Sequence, residues 1–323
     1  MLEIIKILFT LVGTFIGAGF ISGKEIYLFF FQYGLNGLIG IIFSSIFIGF
    51  ILYKTIIISK KNNIKNYNIF FNKIIKNEII KKIVNIYLLL SFCVMVSGFC
   101  SFINQEFEIK KYIVYFFILI IIIIVLRNNY NTIIKINNIL IPIIIVFILY
   151  FFKLIFFKNN NLINFNNITN KGFVLPAILY ANYNLISLIP ISIINSKKIK
   201  NTKIICILFS TIIIFLSTIL FFILYKANNK ILIMDFPIIR IIEQYGKFYK
   251  IFYGLILGMA IITTALSVEY SYVQGNNRKL VYSIIFSFIA TYFNFSKLIE
   301  VLYPIFGICG FWQCIYILKK KIK

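Results

Sequence analysis

The sequence predicts an all-α, polytopic membrane protein. Of its 323 residues, 61% are hydrophobic and only 13% are charged. A soluble domain carries about 25% charged residues, so a soluble enzyme and a disordered chain are both excluded. The apolar residues also fall in runs long enough to cross a bilayer, which takes about 20 residues of helix. These runs lack the period-2 alternation of a membrane barrel. The third observation is charge. There are 33 Lys+Arg against 9 Asp+Glu, a net +24, and the basic residues gather mainly between the apolar runs.

Ten spans are expected, near 4–32, 35–58, 83–105, 112–127, 134–157, 172–194, 203–226, 250–273, 279–295 and 298–318. The first carries Glu3 and Lys6 at its start. No small-residue cleavage site leads from it into a polar domain, so it reads as a retained helix and not a signal peptide. Between the second and third spans, residues 59–82 are basic with interleaved Ile and Phe. That pattern predicts an amphipathic helix on the inner leaflet. Between the seventh and eighth, residues 230–250 mix apolar residues with Asp235, Pro237, Arg240 and Glu243, which predicts an external helical loop over an entrance. Ten spans return both termini to one side. Starting inside, most basic residues fall on the inner side, so the positive-inside rule places both termini in the cytoplasm. The expected location is the bacterial cytoplasmic membrane. The chain then forms one transmembrane domain over 1–323. Its parts are a five-helix half at 1–157, a connecting loop at 158–170, a second five-helix half at 171–318 and a basic tail at 319–323.

Composition narrows the chemistry. Histidine is absent, so no imidazole metal site, Ser-His dyad or histidine proton relay can form. Cys93, Cys100, Cys206, Cys309 and Cys314 all lie in apolar stretches without a CxxC pair, and read as small buried hydrophobes. No enzyme activity is expected. The partners are a small solute and the lipid bilayer, with no nucleic acid; a monomer and a homodimer both suit the pattern.

Two spans carry signs of interruption. In the first, Gly13, Gly17, Gly19 and Gly23 fall within eleven residues, and each glycine costs about 1 kcal/mol against alanine in a helix interior. Residues 4–32 would also make a helix of about 43 Å, longer than the hydrocarbon. The spacings of Gly13 with Gly17 and of Gly19 with Gly23 equally suit close helix packing. The compact Gly17-Ala18-Gly19 favours a break. In the sixth span, Pro176 and Pro190 bracket Ala181-Asn182-Tyr183-Asn184. Proline removes a backbone donor, and two asparagines amid apolar residues are costly unless they face a cavity or a partner. Interhelical hydrogen bonding is the other reading. The two candidate breaks lie about half a chain apart, in the first helix of each five-span half. An odd number of spans inverts one half against the other, and interrupted helices at matching positions of inverted halves mark a transporter's binding site. Gly17, Ala18, Gly19, Phe20, Tyr180, Asn182, Tyr183 and Asn184 are therefore the candidate solute-binding residues.

These residues carry a family likeness. Gly17-Ala18-Gly19-Phe20 with Ser22-Gly23-Lys24-Glu25-Ile26 and Phe29-Phe30, together with Tyr180-Ala181-Asn182-Tyr183-Asn184, resembles the YkvI-like bacterial membrane proteins. More broadly the chain resembles LeuT-fold transporters of the amino acid–polyamine–organocation superfamily. The resemblance implies a 5+5 inverted repeat with helices one and six broken at mid-membrane. It also implies a sodium site between the first break and span eight. The carbonyls of Gly13 and Ile16 would come from span one. Ala260, Thr263 and Thr264 share one helix face at i, i+3 and i+4, and would supply a carbonyl and two hydroxyls. A back-bond from threonine to its own helix is the competing reading. No cofactor beyond that sodium ion is implied.

Proton coupling is the alternative to sodium. Its candidates are Glu25 and Glu269, each near an expected membrane face, where an interfacial charge is the other reading. With no charge expected at the midplane, a solute carboxylate would be held by free N–H groups at the break. That suits a zwitterion or small polar solute. The function implied is a cation-coupled secondary transporter of an amino acid or related amine, working by alternating access with sodium ahead of protons. The rival is a sensor or receptor subunit of the same fold that binds solute without moving it.

Overall fold

A computed structural model describes residues 2–64, 66–127, 130–158 and 172–320. The expected connecting loop at 158–170, apart from Lys158, and residues 321–323 of the basic tail therefore lie outside the described residues. The chain forms α1 (Leu2–Phe15), α2 (Ala18–Ser22), α3 (Lys24–Phe29), α4 (Asn36–Lys61), α5 (Tyr67–Phe70), α6 (Glu78–Phe107), α7 (Lys111–Arg127) and α8 (Tyr130–Lys158). It continues through α9 (Val174–Asn195), α10 (Thr202–Leu224), α11 (Asn229–Ile233), α12 (Pro237–Glu243), α13 (Lys247–Val273), α14 (Asn277–Ala290) and α15 (Phe295–Lys319). No strand occurs among the described residues.

Seven of these helices are long and apolar enough to cross a membrane: α4, α6, α8, α9, α10, α13 and α15. The chain is thus a multi-pass, all-α membrane protein. The other three expected spans are helical but shorter. α1 and α14 have 14 residues each and α7 has 17. Outward faces are apolar, as lipid requires. On α7, Ile113, Phe116, Phe117, Ile120 and Ile124 are all exposed at helical spacing, the inverse of a soluble helix. The abundant asparagines serve as helix starts. Asn77, Asn201, Asn228 and Asn276 each accept a backbone N–H one to three residues into the following helix, satisfying donors the helix itself cannot.

Two expectations need correction. The segment 59–82 is not one amphipathic helix. α4 runs on to Lys61, α5 follows, a single π turn covers Phe71–Ile75, and α6 begins at Glu78. Tyr67, Phe70, Phe71, Ile74 and Ile75 are buried against the bundle, so packing, not an interfacial dipole, decides the path. Span six is not broken either. α9 is continuous from Val174 to Asn195. Pro176 sits in its first turn, where an N–H would be unpaired anyway. Pro190 removes a single interior bond, at a cost of about 3 kcal/mol. Asn184 satisfies itself by donating to the Tyr180 carbonyl at 3.0 Å. Burial holds the rest, because α9 is clamped among α1, α4 and α15. Gly310 of α15 approaches so closely that a Cβ there would lie 2.3 Å from the Asn182 carbonyl oxygen.

Candidate functional site: the break in the first span

The break in span one is present. α1 stops at Phe15 and α2 starts at Ala18. Gly17 is extended (φ −98°, ψ −173°), and its N–H turns back to the Phe15 carbonyl at 3.0 Å. That turn takes away the donor that would have capped the Gly13 carbonyl four residues earlier. A second interruption follows at Gly23, whose φ of 84° is a left-handed conformation that glycine adopts without penalty. Residues 16 to 26 are all buried. Irregular backbone surrounded by protein is the condition under which a membrane tolerates it.

The freed carbonyls meet α13. The Thr264 hydroxyl lies 2.9 Å from the Gly13 carbonyl oxygen and 2.7 Å from that of Ile16. A hydroxyl carries one proton, so it can donate to only one of the two at a time. Three oxygens therefore converge around one proton, an electronegative cluster of the kind a hard cation prefers. On the preceding residue, the Thr263 hydroxyl donates to the Ala260 carbonyl at 2.9 Å. All five residues expected to hold sodium are buried, and three share an oxygen cluster. Their donor set, all oxygen and uncharged, suits a monovalent cation.

Burial decides between the two readings of Glu25. The residue is not an interfacial charge. It is 3% exposed and packs directly on the break, where a Cβ at Gly19 would lie 2.3 Å from its Oε1. Its Oε2 accepts a hydrogen bond from the Tyr183 hydroxyl of α9. Among the described residues no lysine or arginine pairs with it. The adjacent Lys24 is committed elsewhere, to Glu300 at 3.1 Å and to the Ile233 carbonyl at 3.0 Å. Glu269 is likewise fully buried. It accepts from the Ser283 hydroxyl of α14 at 2.5 Å, and its Oε2 has no hydrogen-bond partner. Five residues separate it from Thr264, about 7.5 Å along α13 and roughly 140° around it, so the two face different sides.

The solute candidates divide. Tyr180 and Tyr183 reach the break, with Tyr180 6.0 Å from Phe15 and Tyr183 on Glu25. Phe20 packs on Phe15 at 5.3 Å. Asn184 donates back to the Tyr180 carbonyl of its own helix, and the Asn182 backbone lies against Gly310 of α15 while both of its buried amide atoms lack a hydrogen-bond partner. Three aromatic partners of Tyr183 were not among the solute candidates. Tyr303 lies 4.6 Å from Tyr183, Phe29 lies 5.6 Å from it, and the Tyr87 hydroxyl donates to the Tyr183 carbonyl at 2.7 Å. Among 21 Tyr and 37 Phe nothing in the sequence marks Tyr303 or Tyr87, and Phe29 stood only within the family motif. Asn137 was also missed. It is fully buried with both amide atoms unpartnered, and its Oδ1 would lie 2.5 Å from a Cβ on Gly13.

The 230–250 segment forms a strap over this region. Ile238 presses on Gly23, within 2.7 Å of where its Cβ would be. Asp235 accepts from Gln105 at 2.9 Å and from the Ser296 N–H at 3.2 Å. Arg240 pairs with Glu106 at 2.6 Å and with Glu243 at 2.8 Å. Lys250 and Arg240 hold the Glu243 carboxyl below its ordinary range. Lys24 fastens the strap to α3, so Lys24→Met is expected to speed amide exchange across 229–243 by about tenfold, the equivalent of one lost polar contact of roughly 1.4 kcal/mol. Exchange that stays unchanged there would show that the strap is held without Lys24.

A buried, interrupted first helix with freed carbonyls and a buried glutamate that has no cationic partner among the described residues defines a polytopic membrane protein with an internal polar site. No protein-family model matches the chain. Over 96 residues, 29% of its length, the chain is 38% identical to YkvI of Bacillus subtilis (strain 168), described as an uncharacterized membrane protein. The matched stretch is 28% of that protein, so the chain aligns with under a third of the relative's length.

Proposed function

We propose that the chain is a secondary active transporter of a small solute, an amino acid or related amine, moving it by alternating access around the break in span one. One observation carries this reading. The helix is interrupted in a buried place where the Gly13 and Ile16 carbonyls and Thr264 form an oxygen cluster, and a buried glutamate, Glu25, packs on Gly19 just after the break. Interrupted helices of this kind serve transporters as solute and ion sites. The continuous α9 removes the paired-break support, so the ten-helix, 5+5 LeuT-fold arrangement rests on the family resemblance. The proposed location is the bacterial cytoplasmic membrane with both termini inside, from the distribution of basic residues.

Coupling is to a cation. Sodium is favoured by the cluster of Gly13, Ile16 and Thr264, with Ala260 and Thr263 completing the ligands. Protons are the alternative, with Glu25 and Glu269 as the candidate carriers, since a buried carboxyl without an ion-pair partner favours its neutral form. A sensor that binds without transporting is the second reading, favoured by how tightly the break is packed. A thermal-shift screen of amino acids and amines, with sodium or potassium present, tests the site, because a ligand that binds the folded state raises its apparent stability. At least one solute should raise the melting temperature, more so in sodium. A panel in which none does would overturn the reading.

A further inference from the structure

Glu25 poses an electrostatic problem that the transporter reading leaves open. A carboxylate away from water costs several kcal/mol unless it is paired. The structure supplies Glu25 with one hydrogen bond, from Tyr183, and with no cationic side chain among the described residues. Around that bond stand aromatic rings. Tyr183 lies 5.4 Å from Tyr180, 4.6 Å from Tyr303 and 5.6 Å from Phe29, and Phe29 lies 5.5 Å from Tyr180. The rings come from three elements, α3, α9 and α15, so motion of one against another opens or closes the group. Hard cations need several oxygens. Beside Glu25 the Tyr183 hydroxyl is the one hydrogen-bond partner among the described residues, and the Tyr183 carbonyl is taken by Tyr87. Aromatic faces instead attract organic ammonium ions, most strongly where water is excluded.

We propose that Glu25, Tyr183, Tyr180, Tyr303 and Phe29 form the site for the ammonium group of a small organic amine. Glu25 is the counter-charge and the rings are the walls. This rests on the reading that span one holds the solute, and it names the solute class: a monocationic amine in preference to a zwitterion. The Tyr183 hydroxyl holds the carboxylate oxygen that the ammonium takes when it enters.

The test is binding of choline, methylammonium and alanine to the purified protein by thermal shift, followed by uptake of the same probes into proteoliposomes. Choline or methylammonium should raise the melting temperature. Glu25→Gln should weaken that binding by more than about tenfold, as expected when one partner of a buried charge pair is removed. Tyr303→Leu leaves Glu25 in place, so it serves if Glu25→Gln does not fold, and it should weaken choline binding several-fold. Equal affinity in both variants, or no binding of either amine, overturns the proposal. If alanine binds and accumulates while the amines do nothing, the ammonium site is wrong and the transporter reading stands. If the amines bind through Glu25 but never accumulate, the site stands and the transporter reading falls.

Discussion

Thr264→Val is expected to abolish sodium-dependent stabilisation and to lower the melting temperature in the absence of sodium. The substitution keeps the shape and removes the hydroxyl shared by the Gly13 and Ile16 carbonyls. Both acceptors are then left in a buried place, and an unsatisfied buried acceptor costs about 1–3 kcal/mol. The same hydroxyl is a proposed sodium ligand, so structure and ion response fail together. Thr263→Val separates the two effects. Its hydroxyl bonds only within α13, to Ala260, so its structural cost should be small while its effect on sodium remains. Melting curves in sodium chloride and in potassium chloride provide the measurement. A Thr264→Val protein with an unchanged sodium shift would remove the ion site.

The largest effect on packing is expected at Gly310. An ideal Cβ there lies 2.3 Å from the Asn182 carbonyl oxygen and 2.8 Å from the carbonyl carbon. These are backbone atoms of a long helix, so no side-chain rotation relieves the clash and α15 must move away from α9. Gly310→Ala should destabilise by about 1–3 kcal/mol, although alanine is the better helix former by about 1 kcal/mol. Tyr303 rides on α15 and Tyr183 on α9, so the same shift should loosen the aromatic group around Glu25. Gly258→Ala is the control, because its nearest neighbour, Phe99, lies at an ordinary 3.4 Å. It should be neutral or slightly stabilising. Equal effects at the two positions would mean that α9 and α15 are not held in close register.

What could be read in advance followed the range of the forces involved. The first break was legible because glycine acts locally, and four in eleven residues weaken a helix wherever it sits. Thr263 and Thr264 were expected from the family resemblance, with helical spacing placing them on one face; Thr264 reaches the span-one carbonyls, while Thr263 bonds within α13. Pro176, Pro190 and the asparagines of span six are local signals too, but a tertiary clamp overrode them: α9 lies between α4 and α15, and that burial exceeds the cost of one missing bond. Glu25 was left between two readings for the opposite reason. A charge near the end of an apolar run usually marks an interface, and only the fold of α2 and α3 against Gly19 carries this one inside. Scarcity was the available clue, since it is one of nine acids in the chain. Tyr87, Phe29 and Tyr303 reach Tyr183 across long sequence separations, and no periodicity encodes that.

The central claim is that the interrupted first span moves a solute at the expense of an ion gradient. Its most direct test is accumulation of radiolabelled choline, methylammonium and a panel of amino acids in proteoliposomes carrying an inward sodium or proton gradient. Internal solute should rise above the external concentration and fall back when an ionophore collapses the gradient. Uptake no faster than in empty vesicles for every solute, in either gradient, would contradict it.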